Sequence, residues 1–413
     1  MTTTKLTLAA IVTCVAAAGG QAPGPASAPA DPDGQVIKSE MQVFKMEVLA
    51  RDLETPWAIA FLPGGRILVT ERPGRLRIVD NGTLLPEPVK GTPKVWEKQD
   101  GGLLDVEVHP QYASNGWIYL SYSEALPGFV AAAQPSAAVD RQQLPLPPVD
   151  PPSMTVIVRG KINKANEWTD QQILFRAPAA IYNSRNAHYG SRFVFDKDNH
   201  LFFSLGDKQV VMDAQDLSKP TGKIHRITDD GTVPADNPFV KESGALPTIW
   251  SYGHRNPQGL AWDPVTGKLW ESEHGPNGGD EINVIEPRRN YGWGVITMGT
   301  EPGMTKRAEP GMEQPVVHYT PTIAPTGLTF YSGDRYPGWK SSLFVAALAG
   351  QQLRRLETKG DAVVHQEMVF NQFGRVRDVA VSPDGYLYVL LQRPGQVLSQ
   401  STSGMLARLV PVK

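Results

Sequence analysis

At 413 residues, the chain is long enough for one large domain or two of ordinary size. Its 40 lysines and arginines nearly balance 42 aspartates and glutamates. The formal net charge of −2 leaves no basic footprint, so no nucleic-acid partner is expected. The 39 glycines, 36 prolines and 9 tryptophans indicate many turns between short strands. No segment shows a sustained helical period, so the pattern favours an all-β protein.

The first 20 residues have the pattern of an export signal. Lys5 precedes an apolar run at 6–18, and small residues follow it. The run is too short to span a bilayer as a helix. We therefore expect an exported protein, periplasmic or secreted, with no membrane span.

The only cysteine, Cys14, lies inside this run, so cleavage after it leaves a mature chain without a disulfide. Lipid anchoring through Cys14 is the less favoured alternative, because Thr13 matches a lipoprotein signal poorly. Residues 21–40 are rich in Pro and Ala and predict a flexible lead-in. A single domain is expected at 41–413, with a Pro/Ala-rich surface insertion at about 125–152.

A strand, a turn rich in Pro, Asp or Gly, and a second strand recur six times along this domain. The first strands of the six units begin at Trp57, Leu104, Arg192, Leu260, Leu328 and Val379. Short strands that repeat in this way predict a six-bladed β-propeller with four-stranded antiparallel blades. Two packed β-sandwich domains are the rival interpretation.

One histidine and one aspartate flank the third unit. His188 lies in the segment NSRNAHYG just before the first strand, and Asp207 follows the second strand in SLGD. Loops at the strand ends of a propeller converge on its central channel. Because imidazole titrates near neutral pH, His188 is a candidate general base that Asp207 could orient. A loop histidine with a local hydrogen bond is the simpler alternative.

Several cationic and amide side chains are placed to bind an anion. Arg375 and Arg377 alternate around one valine, so an extended backbone directs both guanidinium groups to one face. Two such groups suit a polycarboxylate or a phosphate. Arg255 and Asn256 precede a predicted hairpin and add further donors. An exposed strand edge is the alternative explanation for the arginine pair.

The far end of the same hairpin has the residue types of a cation site. Gly275 and Pro276 form a backbone that can turn a carbonyl toward a hard cation, and Asp280 and Glu281 follow closely. Calcium prefers such oxygen ligands. A polar hairpin with ordinary Asp/Gly turns is the alternative.

Seven motifs, in order, resemble one known family. They are TPWAIAFLPGGRILVTER, DGGLLDVEVHP, HYGSRFVFD, SYGHRNPQGLAWDP, EHGPNGGDEINVI, NYGWG and GRVRDVAVSPDG. The chain is similar over residues 53–411 to soluble quinoprotein glucose dehydrogenases and the aldose sugar dehydrogenases that depend on pyrroloquinoline quinone. The resemblance implies a six-bladed propeller that oxidises aldose sugars to lactones by hydride transfer to calcium-bound quinone. It also implies an electron acceptor that the motifs do not identify.

The resemblance gives each candidate residue an expected role. His188 is similar to the base that takes a proton from the anomeric hydroxyl, and Asp207 to the carboxylate that orients it. The expected cofactor contacts are Arg255, Asn256, Thr322, Arg375 and Arg377. The expected calcium ligands are the Gly275 and Pro276 carbonyls at the cofactor, and Glu281 with the Tyr291 carbonyl at a second, structural ion.

Two departures from the family pattern concern the expected site. Relatives usually carry Gln-Gly-Gly-Leu-Leu near the substrate, whereas here Asp100 precedes Gly-Gly-Leu-Leu and Gln99 lies one position earlier. Both are candidate substrate contacts. Many relatives also have a cofactor-binding lysine after an Ala-Leu pair, and this chain has Ala349 there. One cation toward the quinone is therefore missing.

Two other functions stay open at this level. Six-bladed propellers also hold calcium-activated water, as in lactone hydrolases, which need side-chain ligands on one metal in the channel. A propeller whose site has decayed into a non-catalytic binding module is the second. Three arginines and backbone-type ligands favour the anionic cofactor over the hydrolase, whereas the missing lysine keeps the binding module open.

Overall fold

The computed structural model describes residues 29–130, 150–393 and 402–412. The expected export signal, Cys14, the start of the lead-in and most of the predicted insertion lie outside these ranges. Within them, no helix is long and apolar enough to cross a membrane.

The described residues form six antiparallel sheets, which are the blades of a propeller. The chain begins with β1 (Val36–Lys38) and β2 (Val43–Glu54), which belong to the last blade. The first blade contains β3 (Pro56–Phe61), β4 (Ile67–Glu71), β5 (Arg75–Asp80) and β6 (Thr83–Leu84). The second contains β7 (Leu103–Val108), β8 (Ile118–Ala125), β9 (Ser153–Ile162) and β10 (Trp168–Arg176). The third contains β11 (Phe193–Phe195), β12 (His200–Leu205), β13 (Lys223–Thr228) and β14 (Ile249–Tyr252).

The remaining blades follow the same order. The fourth contains β15 (Pro257–Trp262), β16 (Leu269–Glu273), β17 (Asp280–Ile285) and β18 (Val317–Tyr319). The fifth contains β19 (Pro325–Phe330), β20 (Leu343–Ala347), β21 (Gln352–Lys359) and β22 (Ala362–Phe370). The sixth contains β23 (Arg375–Val381), β24 (Leu387–Gln392) and β25 (Ser403–Pro411), joined by β2 and β1. The helical segments are α1 (Tyr112–Asn115) and the 3₁₀ turns Ala179–Ile181, Val211–Ala214, Pro337–Trp339 and Ala349–Gln351.

The first strands of the six blades form a closed ring. Each of β3, β7, β11, β15, β19 and β23 contacts the next around the circle, and β23 contacts β3. These six strands begin the six repeat units, so the predicted propeller is confirmed and the two-sandwich alternative is wrong. Both faces of an inner strand pack against neighbouring blades. This explains why buried positions follow one another along these strands instead of alternating.

The ring closes through the two ends of the domain. β2 pairs antiparallel with β25, from Phe44 opposite Pro411 to Glu54 opposite Ser403. Phe44 then packs edge-on against Trp339, with ring centroids 5.4 Å apart, in the apolar layer between the fifth and sixth blades. Closing the ring in this way pairs the last blade with a strand from the start of the chain and leaves no gap in the circle.

The antiparallel pairing gathers most of the candidate residues near one mouth of the channel. The start of each inner strand lies opposite the end of the second strand, as with Pro56 opposite Glu71 and Arg375 opposite Gln392. Residues just before an inner strand therefore meet residues just after a second strand. This geometry gathers loops from all six blades around one opening.

Candidate active site

A cavity of about 410 Å³ lies at this mouth, a volume typical of small-molecule sites. Among the predicted residues, its lining contains Asp100, His188, Asn256, Arg375 and Arg377. Ala349 also lies in the wall, so the position of the missing family lysine does face the cavity. The lining further includes Trp57, Arg72, Gln258 and His274, which the sequence interpretation did not assign.

His188 and Asp207 form the predicted pair. His188 Nδ1 lies 2.7 Å from Asp207 Oδ1, and the Asp207 side chain is almost fully buried. The other carboxylate oxygen accepts a 2.7 Å hydrogen bond from the Trp293 indole, and the Gln209 amide also donates to Oδ1. The aspartate is therefore fixed on both oxygens. Within the described chain, nothing bonds to His188 Nε2, which leaves that nitrogen for a ligand in the cavity.

The backbone of His188 is held in an uncommon conformation. Its φ is 55°, in the left-handed region that non-glycine residues rarely adopt. The Asp100 carboxylate accepts the His188 amide at 3.2 Å, which helps to hold the loop. Strain of this kind persists where surrounding contacts over-determine the conformation, and it is common at functional sites.

Removing the indole N–H of Trp293 should disturb this arrangement. We expect Trp293→Phe to lower the free energy of unfolding by about 1–3 kcal/mol, because a buried carboxylate oxygen of Asp207 loses its donor. Trp262→Phe is the matched control, since the Trp262 indole N–H has no hydrogen-bond partner in the described structure. Chemical denaturation measures both changes. Equal losses for the two variants would contradict the anchoring role.

The arginine pair concentrates positive charge in the cavity. Arg377 is buried, donates to Gln258 at 3.1 Å and lies over the Trp57 ring at 5.1 Å. Burial, reinforced by nearby Arg375, lowers the pKa of Arg377 to about 9. Burial also lowers the pKa of Arg375. The Nε–H of each arginine has no partner among the described residues.

Asp100 is the only carboxylate in the described lining of this cavity, which also contains three arginines. Unsatisfied guanidinium donors in a buried site carry a free-energy cost unless an anion binds there. The cavity therefore fits an anionic ligand with several carboxylates.

The side chains of Arg255 and Asn256 lie at different cavities. Both backbone amides donate to one oxygen of Glu273, at 2.5 and 3.3 Å. The Asn256 side chain lines the 410 Å³ cavity, where its Oδ1 accepts the Gly190 amide at 3.2 Å. The Arg255 guanidinium instead donates to the His274 carbonyl at 3.2 Å and borders a second, much smaller cavity.

The small cavity, of about 10 Å³, is bordered by all four predicted metal ligands. These are Gly275, Pro276, Glu281 and Tyr291. A volume of about this size is just enough for one water or one ion. His274 lines both this cavity and the 410 Å³ cavity, so the two sites are neighbours.

Three glutamates cluster beside the small cavity. Ligand atoms of Glu271, Glu273 and His254 lie within 4.8 Å of one another, and Glu281 lies opposite Glu273 across the strand pair. Burial, followed by the charge of Glu273, raises the pKa of both Glu271 and Glu281 well above the usual range. No lysine or arginine forms an ion pair with these glutamates in the described chain, and one Glu271 oxygen lacks a donor. Such a buried acidic group fits a divalent cation.

Other predicted residues lie away from the cavity. Thr322 is exposed, and its hydroxyl donates to Asp280 Oδ2 at 2.5 Å. The same oxygen accepts two backbone amides, and the other accepts the Gly275 amide at 2.9 Å. Asp280 thus joins the loop before β19 to the loop after β16. Gln99 is also exposed, whereas its neighbour Asp100 faces the cavity.

The sequence did contain a signal for three residues that received no role there, Arg72, Glu271 and Glu273. Arg72 follows the second strand of the first blade, as Asp207 and Gly275 follow the second strands of theirs. Glu271 and Glu273 alternate along β16, so both direct their side chains to one face. Position within the repeat would have identified Arg72 as a channel residue.

Comparisons with known proteins identify the family of this chain. A model of the family described as Glucose / Sorbosone dehydrogenase matches residues 53–399. Aldose sugar dehydrogenase YliI of Escherichia coli is 39% identical over 366 residues, covering 86% of this chain and 92% of that protein. Quinoprotein glucose dehydrogenase B of Acinetobacter calcoaceticus is 28% identical over 450 residues, covering 88% of each.

A solved structure shares the fold as well. The form of Streptomyces coelicolor aldose sugar dehydrogenase with bound pyrroloquinoline quinone superposes with a TM-score of 0.67 at 26% identity. The alignment covers 91% of this chain and 99% of that one. On the family match, the sequence identity and the shared propeller, this chain belongs to the Glucose / Sorbosone dehydrogenase family.

Proposed function

We propose that the protein is a sugar dehydrogenase that oxidises the anomeric carbon of aldoses to lactones with pyrroloquinoline quinone and calcium. The observation that carries this proposal is the 410 Å³ cavity. It combines a fixed His188–Asp207 pair with arginines that lack an anionic partner. Relatives named as aldose sugar dehydrogenase and quinoprotein glucose dehydrogenase support it.

The cavity fits the proposed cofactor chemically. Pyrroloquinoline quinone carries three carboxylates, and the unpartnered N–H groups of Arg375 and Arg377 are suitable donors for them. Asn256, which Gln258 links to Arg377, would contribute a further contact. When bound, the quinone supplies the hydride acceptor, and calcium polarises its carbonyl group.

The chain's own residues then handle the substrate proton. His188 Nε2 faces the cavity and would accept the proton of the anomeric hydroxyl as the lactone carbonyl forms. Asp207 holds the proton on Nδ1, which leaves the Nε2 lone pair free, and it stabilises the imidazolium that results. Asp100, next to His188, would accept a hydrogen bond from a sugar hydroxyl.

Calcium would bind through two sets of ligands. The Gly275 and Pro276 carbonyls would serve an ion shared with the quinone. Glu281 and the Tyr291 carbonyl would serve a second, structural ion beside the buried Glu271 and Glu273. Thr322 and Arg255 do not line the 410 Å³ cavity, so they would support the cofactor site indirectly. Thr322 would do so through its hydrogen bond to Asp280. We further propose an exported protein that passes electrons to a separate acceptor.

The structural calcium should stabilise the protein whether or not quinone is bound. The second site has its own carboxylates, so we expect calcium to fill it in the apo-protein and raise the melting temperature by mass action. Chelation should lower that temperature even without quinone, and Glu281→Gln should reproduce the loss. Glu286→Gln is the control, because Glu286 is an exposed partner of Lys268. Calorimetric titration decides: if apo-protein binds no calcium, the two-ion assignment is wrong.

A panel of aldoses with an artificial electron acceptor tests the function as a whole. We expect dye reduction only after quinone and calcium are added to the apo-protein. A calcium-dependent lactone hydrolase would instead cleave lactones without quinone. A non-catalytic propeller would do neither. Lack of turnover with every aldose, in protein shown to be folded, would overturn the proposal.

A further inference from the structure

Arg72 is a third guanidinium in the proposed cofactor cavity. It follows β4 in the first blade and lines the cavity together with Arg375 and Arg377. Its side chain is only 6% exposed. Its charge helps to lower the pKa of Arg375 and Arg377, although burial is the larger cause for both. The three cations are therefore close enough to repel one another.

The local backbone holds Arg72 in this position. Its amide donates to the Thr55 carbonyl at 3.1 Å, and its own carbonyl accepts the Leu103 amide at 2.9 Å. Gly102 packs directly against it, and a Cβ at Gly102 would collide with both the carbonyl oxygen and the Cγ of Arg72. Gly102 also has a φ of 147°, which favours glycine. The Gly-Gly segment thus leaves room for the Arg72 side chain.

The guanidinium group of Arg72 is not fully satisfied. Its nearest carboxylate is Glu97, at 3.5 Å from the terminal nitrogen, and Glu97 itself is about one-third exposed. The Nε of Arg72 has no hydrogen-bond partner in the described structure, and neither does Nη2, the same terminal nitrogen that lies 3.5 Å from Glu97. A nearly buried cation with free donors beside two others is costly without an anion. The geometry thus indicates a ligand.

We propose that Arg72 is a cofactor-binding residue that donates a bidentate pair of hydrogen bonds to a carboxylate of pyrroloquinoline quinone. It thereby supplies a third cation to the cavity that Arg375 and Arg377 also line. This inference rests on the proposed function. It adds a contact from the first blade to those from the fourth and sixth.

Titration of the apo-protein with quinone, in the presence of calcium, tests the role of Arg72. The readout is quenching of tryptophan fluorescence, because Trp57 lines the cavity. We expect Arg72→Gln to raise the Kd at least tenfold, as expected for loss of a charge-assisted bond. Arg75→Gln is the matched control, because Arg75 lies on the same blade but pairs with Glu71 and Glu54. Its Kd should match that of the wild type.

Two further variants sharpen the test. Ala349→Lys in the Arg72→Gln background should recover part of the lost affinity, because it returns a cation to the same cavity. Arg72→Lys keeps the charge but loses the planar fork, so its Kd should rise at least about threefold. If Arg72→Gln does not fold, as judged by its melting temperature, Arg72→Lys takes its place in the comparison.

The outcomes separate this inference from the proposed function. If the wild type binds quinone and Arg72→Gln or Arg72→Lys binds equally well, the role of Arg72 is refuted and the dehydrogenase proposal stands. If the wild type does not bind quinone, both are refuted.

Discussion

Replacing His188 by alanine is expected to lower aldose turnover by about 10²–10⁴-fold, the usual cost of losing a general base. Quinone affinity should stay close to that of the wild type, because the proposed cofactor carboxylates bind the arginines and not His188. The expectation follows from the bond to Asp207 and the free Nε2 at the cavity. Steady-state dye reduction gives kcat, and quinone titration gives the affinity of the same preparation.

A second His–Asp pair provides the control for this result. His200 Nδ1 lies 2.9 Å from Asp196, four residues earlier in the chain, but neither residue lines the cavity. His200→Ala should therefore leave kcat nearly unchanged. A His188→Ala variant that keeps more than about a tenth of the wild-type rate would refute the base assignment.

Replacing Arg375 or Arg377 by alanine is expected to weaken quinone binding much more than sugar binding. Each change removes a charge-assisted hydrogen bond worth about 1.5–3 kcal/mol, or roughly 10–150-fold in Kd. The loss at Arg377 should be the larger, since it is more deeply buried and its donors are harder for water to satisfy. Quinone titration and the KM for the sugar measure the two effects separately.

Arg66→Ala serves as the control for this pair. Arg66 pairs with Asp80 in the first blade, and its side chain is 38% exposed. Its removal changes the net charge by the same amount without touching the cavity. If the quinone Kd is the same in Arg66→Ala, Arg375→Ala and Arg377→Ala, the arginine pair has no cofactor role.

The propeller could be predicted from the sequence because its cause is local. The inner strand of each blade is buried on both faces, so it stands out as a short apolar run bounded by turn residues. Six such runs, each followed by a second strand, give the blade number. The role of β2 was not visible in this pattern, because its pairing with β25 joins residues more than 340 positions apart.

The residues of the 410 Å³ cavity could be predicted in part, from their positions within the repeat units. His188, Asp207, Asn256 and the arginine pair all lie at strand ends that face one mouth. Thr322 and Gln99 have the same kind of position but are exposed. Whether a loop side chain faces the channel depends on its local φ and hydrogen bonds, which the order of residues does not show.

The amino-acid sequence alone determined the number of blades, the edge at which the loops meet, and the chemical types gathered there. These depend on periodicity, turn residues and side-chain chemistry, which act over a few residues. Only the tertiary structure decided which groups share a cavity. Arg72 joins Arg375 from a blade 300 residues away in the chain, and Glu271 meets His254 beside the small cavity. The first pair forms because closing the ring brings distant loops together, whereas the second forms inside the fourth blade, where β15 and β16 pair. Burial then leaves donors of the arginines and one Glu271 oxygen without hydrogen-bond partners.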